Sequence, residues 1–400
     1  MNIFPTILLI SQWFSIIEVG PHNDSLADAI NEADAGDEIH LPIGLWTGNF
    51  TISKPLTIRG EGEIKGTGEG TVLTLDAPNI QLIGITISHS GRDMRGPDSG
   101  IYLTPAATGS VIKNCTVKDS GFGIWLHETS GVHLLGNHII GETTGPPSNR
   151  GNGIHLFDGT DLVIEDNLIE GGRDGIYVSV TENSLIKNNI TRNLRFGVHY
   201  MYSDHNRIIG NESSGNVMGY AIMQSKHIVA VGNIARKNKR DGLLFRDAQF
   251  CDIRENVLDR NGEGMFFFSS TDNIIMDNKI IKNKVGVKIW AGSLRNRVEG
   301  NLFIGNERQV FFVASEDMFW GEDGPGNYWS DYLGWDQDAD GIGDRPYRVS
   351  NFSNNLIYKY PVAVLLLRSP SLELLAHLER KLPIFRVPTI IDSQPLMKEK

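Results

Sequence analysis

His199 and Met201 stand two residues apart in an alternating apolar run, so on a β-strand both side chains point to one side, roughly 7 Å apart. Imidazole and thioether are donors for a soft metal, and methionine in particular suits Cu(I). Met223, one repeat further along the chain, joins them as a candidate copper ligand. A second set of donors is hard. Asp336, Asp338, Asp340 and Asp344 occupy relative positions 1, 3, 5 and 9, with Gly341 at 6, as at the start of a calcium loop of the EF-hand type. Position 12 is Tyr347 and not Glu, so the loop is no EF-hand. It is either a bent acidic loop that takes Ca²⁺ through other ligands or a turn cluster that needs no ion.

The elements that position these residues come from a repeat. A glycine followed by an apolar residue recurs at Gly100, Gly123, Gly153, Gly175, Gly197, Gly219, Gly242, Gly264 and Gly286, in steps of 22 or 23 with one step of 30. Asparagines recur in phase, at Asn114, Asn137, Asn167, Asn189, Asn211, Asn233, Asn256, Asn278 and Asn301, and a second row runs from Asn193 to Asn306. The long step holds eight extra residues within the polar stretch 141–150 (GETTGPPSNR). Each repeat has three short alternating runs and no helical spacing. Three strands per 22 residues, with Gly and Asn expected at the corners, make one coil of a parallel β-helix. The fold class is all-β: a right-handed single-stranded parallel β-helix, a pectin-lyase-like solenoid of about a dozen coils.

Alternation assigns the faces. Counting from each repeat glycine, positions +1 and +3 are uniformly large and apolar and fill the core. Positions +2 and +4 then face outward, yet they include Trp125, His127, His155, Phe157, Tyr177, His199, Met201 and Met223. A contiguous surface this apolar marks a contact site. The reading is a partner-docking face, rimmed by the 141–150 loop. The competing reading is coverage by the chain's own C-terminal segment.

Composition limits the partners. With 37 basic and 48 acidic residues, the net charge is −11, which excludes a basic nucleic-acid footprint. No apolar run is long enough to span a membrane. Cys115 and Cys251 lie about six coils apart, too far to bridge.

The ends divide as follows. Residues 1–20 hold an apolar run that suits a secretory signal but lacks a basic residue; a strand on the cap is the alternative. Residues 21–360 form the solenoid, with a capping helix over 24–35, regular repeats over about 100–310 and an irregular acidic part over 315–360. Residues 361–400 read as a helical tail that docks either on the chain's own solenoid or on a partner, with Ser369 as helix cap and a stripe of Leu372, Leu375, Leu378 and Leu382.

The repeats, together with residues 326–332 (GNYWSDY), 336–347 (DQDADGIGDRPY) and the entry over 29–58, resemble the NosD family across roughly residues 24–365. The resemblance implies a non-catalytic, periplasmic accessory protein of an ABC-type transporter, working with its permease and ATPase and with a copper chaperone lipoprotein. Its task would be assembly of the copper centre of nitrous oxide reductase, with copper passing transiently and no catalytic residue or cofactor of its own. The alternative is a carbohydrate-active β-helix, a lyase, hydrolase or epimerase. Such chemistry needs clustered carboxylates on one face, and positions +2 and +4 have none.

Overall fold

The computed structural model describes residues 15–20, 24–350 apart from 291, 315 and 323, and 388–399, with single positions 362, 369, 370 and 374 between the last two stretches. Short strands pair only with the coil before and the coil after, giving three parallel sheets of 13, 12 and 13 strands. Asp174–Ser179, Leu185–Lys187 and Ile190–Arg192 are one coil, and each strand pairs in register with the strand 22 residues on. The +1 and +3 residues fill the interior: Ile124, Leu126, Ile176, Val178, Tyr200, Ile222 and Phe245 are all buried. The α-helix Asp24–Glu32 closes the first coils by burying Leu26, Ala29 and Ile30. Ile16–Glu18 is a strand paired with Glu38–His40, so this part of the 1–20 segment belongs to the solenoid, while residues 1–14 lie outside the described residues.

The asparagine rows differ from expectation by one residue at their start. The left-handed corner row is Asn114, Gly136, Asp166, Asn188, Gly210, Gly232, Glu255, Asp277 and Gly300, each with φ between 52° and 66°. The next residue turns inward. From Asn137 through Asn167, Asn189, Asn211, Asn233, Asn256, Asn278 and Asn301 to Asn327, these side chains form a buried ladder. The Oδ1 of Asn211 accepts from both the backbone N–H (2.8 Å) and the Nδ2–H (2.9 Å) of Asn189, whose Nδ2 also donates to the Ile164 carbonyl. Each inward corner thereby satisfies backbone groups that no strand pairs. Asn114 itself is a corner residue, and Cys115 holds the ladder position above it. Likewise Asn193 is a corner, and the second ladder runs from Asn216 to Asn306.

The glycine row is not at left-handed corners either. These glycines have no positive φ; they lie in or at the head of strands of the 12-stranded sheet. A Cβ on any of them would come within 2.3–3.0 Å of a backbone carbonyl oxygen of the next coil. Close approach of coils, not turn conformation, demands glycine there.

Downstream of the last coil the chain returns on itself. Thr389–Asp392 pairs in parallel with Met318–Trp320 and antiparallel with Tyr347–Ser350. Residues 388–399 therefore dock on the solenoid's own end, one of the two destinations open to a docking tail over residues 361–400. The helix after Ser369 lies mostly outside the described residues.

Candidate functional site

The outward side of the 12-stranded sheet is built by strands that include Phe122–His127, Ile154–Phe157, Asp174–Ser179, Phe196–Met201 and Met218–Met223. In-register pairing stacks their +2 side chains. Trp125 lies parallel to His155 at 4.4 Å, His155 meets Tyr177 edge-on at 5.0 Å, and Tyr177 meets His199 at 5.1 Å. In the +4 column, His127 stacks on Phe157 at 5.3 Å, and Met201 pairs with Met223. The face predicted from alternation is therefore one continuous surface. Trp125, His155, Tyr177, Met201 and Met223 are half-buried, not freely exposed.

The partial cover comes from a row that alternation counting missed. The chain bends at each repeat glycine, so the residue before it also reaches the outer face. Phe196 and Met218 come from this row and pack with the outward Ala221 and Leu244 into a small second apolar cluster. Phe122 packs on Trp125 at 4.7 Å, and Phe196 on His199 at 4.5 Å. The described residues of the C-terminal segment do not lie here; they sit against Trp320, Asn327 and Ile342 at the far end. The 141–150 loop does adjoin the face: Gly151, at its end, lies against Gly121 and the Phe122 ring. Arg150 holds the loop shut by donating to the carbonyls of Thr143, Thr144 and Gly145.

The same row supplies carboxylates that the sequence reading did not place on this face. Asp174, 1% exposed, accepts from Arg195 Nε (2.8 Å) and Nη2 and from His199 Nδ1 (3.0 Å). Burial alone would raise its pKa, but these donors outweigh it and hold the carboxyl below its usual range. Three coils on from Asp174, Asp241 and Glu263 stand side by side in register, and Lys288 Nζ reaches Glu263 at 2.7 Å from over the Phe266 ring. Burial, and then the neighbouring Glu263, push the Asp241 carboxyl up to about 7. His155 moves the opposite way, down to about 4, because it is buried and near Arg173.

Seven buried polar atoms on this face have no hydrogen-bond partner among the described residues: Trp125 Nε1, His127 Nδ1, Asn152 Oδ1, Arg173 Nε, His199 Nε2, Asp241 Oδ2 and Glu263 Oε2. Buried polar atoms are normally paired, so their concentration on one face is a feature of that face.

The acidic loop lies elsewhere, at the capped end. Carboxylate oxygens of Asp336, Asp338 and Asp340 converge within 4.8 Å, the spacing of hard-cation ligands. Asp344 is not part of that group; its Oδ2 accepts from Gln337 N–H. Asp336 also accepts from the N–H groups of Asp340 and Gly341, and Asp340 from Ile342, which is the bonding of a turn cluster.

Comparison with known proteins decides the family. The chain is 42% identical over 382 residues to a protein of Pseudomonas aeruginosa named "Probable ABC transporter binding protein NosD", covering 92% of this chain and 89% of that one. A Stutzerimonas stutzeri protein of the same name is 40% identical over 384 residues, 92% and 88% of the two chains. The chain belongs to the NosD family. A family model described as "Periplasmic copper-binding protein (NosD)" matches residues 142–334, and one described as "Right handed beta helix region" matches 48–172. The NosD match spans the part of this outer face that carries His155, Phe157, Tyr177, His199, Met201 and Met223. Among solved structures, the Streptococcus pneumoniae surface adhesin PfbA aligns at TM-score 0.59 with 14% identity, over 74% of this chain and 93% of that one. At that identity the likeness shows the fold alone. The blocks 326–332 and 336–347 prove structural in this NosD chain. Asn327 ends the asparagine ladder, and Trp329 stacks between Phe303 (4.1 Å) and Tyr347 (4.2 Å).

Proposed function

We propose that this chain is a non-catalytic, extracytoplasmic accessory protein of an ABC-type transporter that assists copper-centre assembly in nitrous oxide reductase. It docks the permease and ATPase and receives a copper chaperone lipoprotein on the outer face of its 12-stranded sheet. The observation that carries the reading is the seven unpartnered polar atoms on that face, five of them set among its half-buried rings. A partner surface would pair the polar atoms and cover the rings. The names of the two relatives, both binding proteins, support the same class. Among the described residues no helix is long and apolar enough to cross a membrane, so the reading relies on the transporter for membrane attachment.

The carboxylates on the face do not favour a carbohydrate-active enzyme. Asp174 is held by Arg195 and His199 and Glu263 by Lys288, which leaves Asp241, beside Glu263, as the one carboxylate among these three without a strong cationic partner. The test is a paired substitution, Trp125→Ala with Tyr177→Ala. Binding to the purified permease–ATPase complex and to the chaperone should fall at least tenfold while the protein stays folded. Undiminished binding would overturn the docking face. Deletion in a denitrifying host should leave N₂O accumulating over a copper-deficient reductase; a polysaccharide defect would instead establish the carbohydrate-active class.

A further inference from the structure

One edge of the solenoid carries a charge opposite to that of the whole chain. It is the corner at which the strand Ile234–Arg236 gives way to Asp241–Arg246, and its equivalents on neighbouring coils. Residues 236–240 (RKNKR) and 281–284 (IKNK) lie at this corner two coils apart and hold six basic residues and no acidic one, in a chain of net charge −11. Each contains the run Lys-Asn-Lys. The central asparagines, Asn238 and Asn283, turn inward as rungs of the second ladder. The lysines on either side, Lys237, Lys239, Lys282 and Lys284, are all exposed. At the spacing of paired strands, the two lysine pairs stand roughly 10 Å apart along the solenoid axis.

The backbone singles out the same place. Gly215, Lys237, Arg260, Lys282 and Gly305 are one row of left-handed corners on successive coils, with φ between 52° and 68°. Glycine takes that conformation without strain, whereas a residue with a Cβ does not. Three basic residues in succession accept the strain between flanking glycines, which points to a role for their side chains. The arginines of the edge are already engaged: Arg260 lies 2.6 Å and Arg236 3.7 Å from Asp259, and Arg240 3.9 Å from Asp241. The four lysines have no ion-pair partner among the described residues. Arginine suits a shaped, bidentate anion, while lysine is a point charge with no such demand. Unpaired lysines on a straight, rigid edge therefore match a surface of diffuse negative charge. The adjoining outer face of these coils presents half-buried Phe266, Phe268 and Trp290, and rings beside basic residues are the composition of protein surfaces that lie on a bilayer.

We propose that Lys237, Lys239, Lys282 and Lys284 form a contact for the anionic headgroups of a phospholipid bilayer. This goes beyond the docking reading and does not rest on it: the edge gives the chain a weak, salt-sensitive hold on the membrane of its own. Each lysine brought near such a surface strengthens binding about fivefold, within roughly one Debye length. The lysines lie on coils beyond the rings from Trp125 to His199, so contact with the bilayer leaves those rings open to a partner.

The test is co-sedimentation of the full chain with vesicles of phosphatidylcholine containing about one-third phosphatidylglycerol, and with vesicles of phosphatidylcholine alone. The wild type should bind the anionic vesicles at low salt, leave the neutral ones, and come off when the ionic strength is raised to about 0.5 M. A quadruple variant, Lys237→Asn, Lys239→Gln, Lys282→Asn and Lys284→Gln, should bind at least thirtyfold more weakly. Asparagine already holds this corner at Asn193, so the variant keeps the fold. Replacing the same four lysines by arginine should hold affinity within about threefold, since only the charge matters. Neutralising two exposed lysines elsewhere, Lys65→Gln with Lys113→Gln, should change binding less than threefold. No binding to anionic vesicles, equal binding to neutral ones, undiminished binding by the quadruple variant, or an equal loss in the Lys65 and Lys113 control would each overturn the proposal. An acidic protein as the true occupant of the edge would appear as the first of these outcomes.

Discussion

Asp392 Oδ2 takes the place that an asparagine side chain would hold one coil beyond Asn327. It accepts from Asn327 N–H at 2.8 Å and Nδ2–H at 3.0 Å, as each ladder asparagine does for the one before it, and also from Trp329 Nε1 at 2.9 Å. A residue 65 positions away in sequence thus finishes a ladder that the repeats start. The last coil of a solenoid otherwise leaves its buried donors open.

Asp392→Ala should therefore cost about 3–4 kcal/mol, since three buried donors lose a charged acceptor. The check is chemical denaturation of the full chain. A loss under about 1 kcal/mol would mean that the end of the ladder is satisfied in another way.

Two glycines separate the two reasons for glycine in this chain. At Gly219 a Cβ would come 2.4 Å from the Gly242 carbonyl oxygen, forcing two coils apart, so Gly219→Ala should cost about 3 kcal/mol. Gly232 has φ +66° with open space around it, so Gly232→Ala should cost only the left-handed penalty, about 1 kcal/mol. Equal losses would refute the close-approach account. Melting of both variants under one condition decides the matter.

Asp241, raised to about 7 from an ordinary 3.8, makes stability depend on pH. Between pH 4 and 7 the folded chain keeps a proton that the unfolded chain gives up. Stability should therefore fall as pH rises through that window and level off above it. Asp241→Asn removes this contribution and should melt several degrees higher than the wild type at pH 8, with little gain at pH 4. A wild-type advantage at pH 8 would show that Lys288 stabilises the charged pair more than burial penalises it.

His155, with its pKa lowered to about 4, should stay neutral in the folded protein at pH 5.5, where the unfolded chain binds a proton. Its contribution to stability is therefore lost as pH falls from about 6.5 towards 4, opposite in sign to that of Asp241. Ring ¹⁵N shifts across pH 5–7 should be flat for His155. A midpoint near 6.5 would show that the stack on Trp125 opens to water.

The sequence alone determined the coil. The 22-residue period, the alternating +1 and +3 core and the in-register stacking of Trp125, His155, Tyr177 and His199 follow from local spacing, because a parallel sheet places equivalent positions of successive repeats side by side. The continuous outward column of rings was legible for the same reason. Three things required the tertiary structure. The bend at each repeat glycine turns the preceding residue outward, bringing Asp174 to His199 and setting Asp241 beside Glu263 on a face that counting had left without carboxylates. The inward turn one residue after Asn114 and Asn193 set the true start of the two ladders. The return of Thr389–Asp392 to close the solenoid has no periodic signal at all, because it occurs once and joins distant parts of the chain, and only the folded coil creates the buried donors that Asp392 meets.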